Sequence, residues 1–476
     1  MTEPAQQKFA LPTLTAMVVG SMVGAGVFSL PQTFGRATGG LGALVAWAIA
    51  GGGMLMLAFV FQTLARRKPE LDSGVYAYAK AGFGNYPGFL SALGYWTVCC
   101  LGNVSYWVLI KSTLGALFPV FGDGNTVIAV AVSSLGVWIV HFMILRGVKQ
   151  AAGVNTVVTI AKIIPILIFL VFVGLGFKAD VFAANFLGGP GLEGEGLFAQ
   201  VRGTMLVTVF VFVGIEGASV YSRYARRRED VGLATLFGFL GVLCLLVLVT
   251  MFSYGVLPRA DLAGLRNPSM AGVLAAVVGP WGAVFVSVGL IISVLGAYLA
   301  WSLLAAEVLF SAAKMESMPA FLARENANGV PAAALWLTNL LVQLFLILTL
   351  FSEQAFLMAI KLTSSMILLP YLLVAAYALK LAWTGESYEA RPKGRRADLV
   401  RALMATLYAA GLVYAGGLKF LLLSLVIYAP GTALFVIAQK ERGHRVFTAA
   451  ELLLFAIAAG GAVLALYGLA TGRITV

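Results

Sequence analysis

The sequence has few charged residues and almost no cysteine or histidine. Only 11% of its 476 residues are charged and 61% are hydrophobic, whereas a soluble domain carries roughly 25% charged residues to cover its surface. Water therefore cannot be the main solvent of this chain, and a soluble fold is excluded.

The three cysteines and two histidines are too few for a disulfide framework, a metal centre or a catalytic triad. Cys99, Cys100 and Cys244 all fall within apolar runs and lack the spacing of metal ligands, while His141 and His444 are far apart in the sequence. The sequence therefore predicts no metal site and no cofactor. It also offers no cluster of catalytic side chains for an enzyme.

Long apolar runs recur from one end of the chain to the other. Crossing a membrane takes about 20 helical residues, so these runs predict an all-α polytopic membrane protein with about thirteen spans. At 399–438 two short apolar runs meet at Gly416 and Gly417. We predict two spans there, and the alternatives are one hairpin or a single broken element. The predicted spans are 12–35, 41–64, 88–118, 126–145, 154–177, 203–222, 232–256, 280–311, 332–352, 355–379, 399–416, 418–438 and 449–471.

Lysine and arginine are concentrated in alternate loops, for example at 66–68 and 226–228. Because such loops stay on the cytoplasmic side, we expect a cell (inner) membrane protein with a cytoplasmic N-terminal tail, residues 1–11. An odd number of spans would place Val476 outside. The net charge of +12 is explained by these loops, which also contact anionic membrane lipids. No soluble basic domain is present for nucleic acid to bind.

Glycine interrupts two of the predicted spans at similar depth. Glycines also allow close helix packing, which is the simpler explanation of a lone GxxxG. Two interrupted helices, each opening a block of five, indicate instead an inverted-repeat transporter with discontinuous helices at its binding site. The blocks are 12–177 and 203–380, followed by accessory spans at 399–471. The interrupting residues are Gly20, Gly24 and Gly26, with Pro31 beyond, and then Gly214 and Gly217.

An unwound helix supplies the polar groups that a buried amino acid needs, since a carboxylate or an ammonium without partners is costly in hydrocarbon. Free backbone amides near Ala25 and Gly26 can hold the carboxylate at a helix start. Free carbonyls near Met22, Phe210 and Val213 can accept hydrogen bonds from the ammonium.

Charged residues inside the spans are few, and each is a candidate for function. Glu216, beside the second glycine break, is the first candidate; its alternative role is a neutral, hydrogen-bonded glutamate that holds the break together. Glu307 lies nearer the cytoplasmic end of its span, where a loop cation is its alternative partner. Lys361 lies in the first third of the tenth span, and its alternative role is to extend to the interface.

Several stretches, in order along nearly the whole chain, resemble the amino acid–polyamine–organocation (APC) superfamily, and most closely the arginine/ornithine antiporters of the arginine deiminase pathway. The resemblance implies a five-plus-five inverted-repeat transporter fold of the LeuT type. It also implies electroneutral exchange of cationic amino acids, arginine in for ornithine out. The matching stretches are GSMVGAGVFSLPQ, AFVFQTLARRKPELDSGVYAYAKAGFG, GYWTVCCLGNVSYWVL, MLVTVFVFVGIEGASV, REDVG, NPSMAGVL, LLAAEVLFSAAK, RENANGVPAAALWLTN and SSMILLPYLL.

The same resemblance, taken through the related arginine/agmatine antiporters, implies roles for individual residues. Amides of Ala25 and Gly26 would hold the substrate carboxylate, and carbonyls of Met22, Phe210 and Val213 would hold its ammonium. The side-chain pocket would be formed by Cys99, by the amide of Asn103, by the ring of Trp301 as a cation–π partner, and by Ser364 and Ser365, with Tyr95 as a gate.

Two positions depart from the relatives. Phe210 stands where they commonly have tryptophan, and the smaller ring is a weaker cation–π partner, so the preference for arginine over lysine or ornithine stays open. Ala25 replaces a serine of the arginine/agmatine exchangers, which removes a hydroxyl from the carboxylate site but leaves the amide.

Three functions are compatible with these residues. The first is the exchanger; the second is a proton-coupled or one-way permease for lysine or arginine, in which Glu216 would titrate. The third, a membrane enzyme or sensor, requires a catalytic cluster or a soluble domain that the sequence does not contain. Whether the chain works as a homodimer stays open at this stage.

Overall fold

The computed structural model describes residues 10–71, 74–147, 151–189, 191–216, 228–352, 354–389 and 393–474. These residues form helices and connecting turns, and no β-strand occurs among them. The helices are α1 Leu11–Met22, α2 Leu30–Ala37, α3 Gly40–Arg67, α4 Val75–Phe83, α5 Asn85–Leu117, α6 Val127–Leu145, α7 Ala151–Leu175, α8 Ala179–Asn185, α9 Leu197–Phe212, α10 Arg228–Tyr254, α11 Arg259–Gly264, α12 Ser269–Val278, α13 Pro280–Lys314, α14 Ala332–Leu348, α15 Ala355–Thr384, α16 Arg395–Glu441 and α17 Ala449–Ala470.

The predicted interruption of the first span lies between α1 and α2. Gly24 has an extended backbone, and a 3-10 turn at Ala25–Ser29 connects it to α2. The two halves of this span bend by 49°. Pro31 lies in the first turn of α2, where its missing N–H has no helical partner to lose. The break therefore exposes backbone groups in the interior of the bundle.

The sixth span is described only as far as Glu216. Its helix α9 ends at Phe212, and Val213 and Gly214 leave the helical conformation, with φ of +109° at Gly214. The predicted break residue Gly217 lies outside the described residues.

Nine helices in the described part of the chain are long and apolar enough to cross a membrane, or up to eleven if two bent pairs each form one span. One of the nine, α16, has 47 residues, which corresponds to about 70 Å of helix against roughly 30 Å of hydrocarbon. Gly417 breaks it with φ of 75° and ψ of 167°. The pieces on either side coincide with the two spans predicted at 399–416 and 418–438.

The third predicted span, α5, occupies the centre of the bundle and is buried along almost its whole length. It packs against α13 and α15, while α9 packs against α3 and α15. Peripheral helices such as α6 and α17 instead present large exposed apolar side chains, including Val127 and Leu464. The central position of α5 allows one of its faces to line a site between the two broken helices.

Candidate functional site

The two helix breaks contact each other directly. The Ser21 hydroxyl at the end of α1 donates a hydrogen bond to the Gly214 carbonyl at 3.0 Å. A Cβ at Gly214 would lie 2.6 Å from the Ser21 carbonyl oxygen, and its φ of +109° is one that side-chain-bearing residues rarely adopt. Glycine is therefore required here by the backbone conformation and by the close approach of the first break.

A small cavity of about 20 Å³ lies between the breaks. Six of the predicted substrate-binding residues line it: Met22, Ala25, Gly26, Phe210, Val213 and Trp301. The other lining residues are Ser21, Gly24, Val98, Gly102, Tyr106, Val211 and Thr363.

The volume of this cavity is about that of one water molecule. The rings and backbone around it are packed together: a Cβ at Gly26 would lie 2.9 Å from the Phe210 ring and 2.6 Å from Val211. In this conformation the cavity is therefore too small to hold a whole amino acid.

Two predicted pocket residues of α5 lie one helix position away from the lining face. Val98, Gly102 and Tyr106, spaced by four residues, face the cavity, whereas Cys99 and Asn103 are buried beside it. The Asn103 amide nitrogen donates to the Ser302 hydroxyl at 3.1 Å, and its oxygen has no hydrogen-bond partner among the described residues. A one-residue step rotates a side chain by about 100°, so this difference changes which groups face the cavity.

The tenth span shows the same one-residue difference. Thr363 lines the cavity, but Ser364 donates to the Leu206 carbonyl at 2.6 Å. Ser365 donates to the Phe420 carbonyl at 3.1 Å, on the side of α16. Both serines thus satisfy helix packing in this conformation.

Glu216 is 1% exposed and connects three elements of the bundle. Its carboxylate accepts hydrogen bonds from Tyr95 of α5 and Tyr371 of α15, each at 2.7 Å, and from the Gly214 amide at 3.1 Å. Both oxygens thus accept from donors, as an ionised carboxylate does. Sequence reasoning selected Tyr95 but missed Tyr371, whose link to Glu216 spans 155 positions.

A second charged group lies at the first break. Lys162 of α7 is 4% exposed, and its ammonium donates to the Gly20 carbonyl at 3.0 Å. It thus supplies a hydrogen-bond donor to the last turn of α1, just before the break. Lys162 is not among the predicted site residues, although a lysine within the fifth apolar run is visible in the sequence.

The other two charged candidates lie away from this cavity. Glu307 is exposed and accepts from Ser311, one turn further along α13, at 3.0 Å. It makes no ion pair with a described residue. Lys361 lines a second, larger cavity.

On the face of the basic loops, α3 is tied to the segment between α15 and α16. The Arg67 guanidinium lies 3.8 Å from the centre of the Tyr388 ring, and the Tyr388 hydroxyl donates to Asp398 at 3.0 Å. Burial and the nearby Asp398 carboxylate raise the pKa of Tyr388 to about 12. A hydrogen bond from Lys68 to Glu386, 2.9 Å long, raises the pKa of that lysine. These contacts hold the accessory helices to the bundle.

The sequence model of the amino acid permease family matches residues 9–463. This chain belongs to the amino acid permease family. The permease is 53% identical to the arginine/ornithine antiporter of Pseudomonas aeruginosa, over the full length of both chains. It is 42% identical to an L-lysine transport protein of Corynebacterium glutamicum, over 98% of this chain and 96% of the relative. It is also 36% identical to the arginine/agmatine antiporter of Chlamydia felis, over 97% of this chain and 96% of that one.

These findings confirm the predicted APC resemblance and the all-α polytopic transporter fold. The similar proteins are transporters, so this permease is a multi-pass membrane transporter and the enzyme alternative is rejected.

Proposed function

We propose that this permease exchanges cationic amino acids across the cell (inner) membrane, taking up arginine and releasing ornithine. The observation that carries the proposal is its 53% identity, over the full length, to an arginine/ornithine antiporter. The polar backbone between two broken helices supports it, because that arrangement matches the two charged ends of an amino acid.

The substrate carboxylate binds the amides of Ala25 and Gly26, at the start of the 3-10 turn. The ammonium binds the carbonyls of Met22, Phe210 and Val213. The Phe210 carbonyl already accepts from the Val213 amide at 3.3 Å, and its second lone pair is available to a ligand.

The cationic side chain extends between aromatic rings. Phe210 and Trp301 both line the cavity and each can stack on a guanidinium or ammonium, with roughly 0.5–2 kcal/mol per contact. Tyr106 adds a third ring from α5, which the sequence did not predict.

Alternating access follows from the packing of the two breaks. Separation of Phe210 from Gly26 opens the site, and their contact closes it. Tyr95 acts as a gate through its hydrogen bond to Glu216, which Tyr371 and Gly214 hold from other sides. Because Glu216 accepts hydrogen bonds from three donors among the described residues, we propose that it keeps one protonation state through the cycle, as electroneutral exchange requires.

We assign the inverted repeats to residues 12–177 and 203–380 and the accessory spans to 399–471. Each repeat then opens with a broken helix, at Gly24 and at Gly214. The basic loops and the N-terminal tail face the cytoplasm, and the apolar side chains exposed on α6 and α17 face the lipid.

A second candidate function is one-way or proton-coupled uptake of lysine or arginine. The 42% identity to an L-lysine transport protein favours it. The ring of Phe210 also favours it, because it is smaller than the tryptophan common in the relatives and is a weaker cation–π partner for a guanidinium.

Proteoliposomes distinguish the two functions. Uptake of labelled arginine is measured with the lumen holding ornithine, a neutral amino acid or buffer alone. The exchanger gives rapid uptake only with ornithine inside. Equal uptake in all three preparations would reject exchange in favour of the one-way permease.

A further inference from the structure

A second cavity, of about 410 Å³, lies one helix turn further from the basic loops than the substrate cavity. Val207 lines it three residues before Phe210, and Lys361 lines it two residues before Thr363. Ligand sites commonly measure 300–1,000 Å³, so this cavity can hold an amino acid. We call it the outer vestibule. Its charged lining residues are Arg36, Asp123, Arg266 and Lys361, and Gln32 and Gln354 are among its uncharged polar ones.

The charged groups of the outer vestibule are three cations and one carboxylate among the described residues. The carboxylate is already paired, because Arg266 Nε lies 2.8 Å from Asp123 Oδ1. Arg36 contacts neutral acceptors, the Ala263 carbonyl at 2.9 Å and the Gln354 amide oxygen at 3.3 Å.

Lys361 has no carboxylate partner in the described part of the chain, and its ammonium lies 5.8 Å from the centre of the Phe420 ring. Glu353, the acidic residue nearest to it in the sequence, lies outside the described residues. Arg36 and Lys361 thus present two charges that no described carboxylate neutralises.

Two such cations on the route of a cationic substrate are unfavourable unless the ligand brings an anion. An amino acid brings its α-carboxylate, which forms short charge-assisted hydrogen bonds with guanidinium and ammonium groups. Arg36 is held in place through Nε and Nη1, and its Nη2 makes no hydrogen bond with a described residue. The decarboxylated amine of the same amino acid brings only positive charge.

We infer that the outer vestibule is a capture site in which Arg36 and Lys361 hold the α-carboxylate of the incoming amino acid, and that it discriminates against decarboxylated amines. This inference rests on the proposed exchange function and orientation. The vestibule acts before the central site, so it sets the apparent affinity and selectivity on the outer face.

Lys419 provides a matched control for Lys361. Both ammonium groups lie over the same ring, that of Phe420, at 5.5 Å and 5.8 Å respectively. Only Lys361 lines the outer vestibule. Each substitution by glutamine removes one ammonium group from the Phe420 ring, but only Lys361→Gln removes a charge from the outer vestibule.

The experiment uses ornithine-loaded right-side-out vesicles carrying the wild type, Lys361→Gln, Arg36→Gln, Lys361→Arg or Lys419→Gln. Labelled arginine uptake gives the KM, and inhibition by external agmatine, the decarboxylated form of arginine, gives the selectivity. We expect Lys361→Gln and Arg36→Gln each to raise the arginine KM about threefold or more and to strengthen inhibition by agmatine. Lys419→Gln keeps the wild-type values, and Lys361→Arg, which retains the positive charge, lies closer to the wild type than Lys361→Gln does.

Two further readouts separate capture from a structural defect. The difference between the wild type and Lys361→Gln shrinks at high salt, because ions screen the vestibule charges, and it is absent in inside-out vesicles. The inference is overturned if Lys361→Gln and Lys419→Gln behave alike, or if Lys361→Gln weakens arginine and agmatine by the same factor. If the exchange function itself is wrong, the wild type takes up arginine equally well with and without internal ornithine. That result is distinct from either outcome that overturns the vestibule inference.

Discussion

Gly214→Ala tests whether the close contact between the two helix breaks is needed for stability and for transport. The native φ at this position is +109°, and forcing an L-residue into such a conformation costs about 1–3 kcal/mol. The new methyl would also lie 2.6 Å from the Ser21 carbonyl oxygen, an overlap with rigid backbone that costs about another 1–3 kcal/mol. Together the two effects predict a loss of about 2–6 kcal/mol.

The assay is thermal unfolding of the purified protein in detergent, followed by arginine–ornithine exchange in proteoliposomes. Gly241→Ala is the control, since a Cβ there meets nothing within 4 Å. We expect Gly214→Ala to melt at a clearly lower temperature and to lose most exchange, and the control to match the wild type. A Gly214→Ala protein with wild-type melting and exchange would refute the argument that the two breaks are fixed against each other.

Three other perturbations address the substrate and the charge carried. Phe210→Trp should raise the preference for arginine over lysine about two- to fivefold, because a larger ring stacks better on a planar guanidinium. The measurement is inhibition of labelled ornithine uptake by arginine and by lysine, and an unchanged ratio of the two inhibition constants contradicts the expectation. Asn103→Ala should raise the KM for arginine while leaving the amount of protein in the membrane unchanged. Ser302→Ala is the control, because it removes the same hydrogen bond but keeps the Asn103 amide. Equal effects of both substitutions would show that Asn103 acts through packing. Exchange rates should be nearly independent of an inside-negative potential, whereas a one-way cation would gain about 2.3 kcal/mol per 100 mV. Glu216→Gln should slow turnover without changing that independence, and a steep rise of the wild-type rate with potential would reject electroneutral exchange.

The sequence alone was sufficient for the membrane class, the all-α polytopic fold and the family. Apolar length and loop charge are local properties, so they can be read without knowing which helices touch. The breaks near Gly24 and Gly214 were also predictable, because glycine within an apolar run is itself the signal.

Only the tertiary structure decided which side of each central helix faces the cavity. A helix such as α5 is buried all round, and its apolar pattern has no polar face to fix its rotation. The predicted Cys99 and Asn103 therefore differ by one position from the lining residues Val98 and Gly102. Packing against α13 and α15 sets that rotation.

Long-range contacts were equally invisible in the sequence. Tyr371 reaches Glu216 and Lys162 reaches Gly20 from other spans of the chain, and no local pattern marks either pair. Their partners are chosen by how the helices cross, since a buried polar group must find a partner wherever the fold places one.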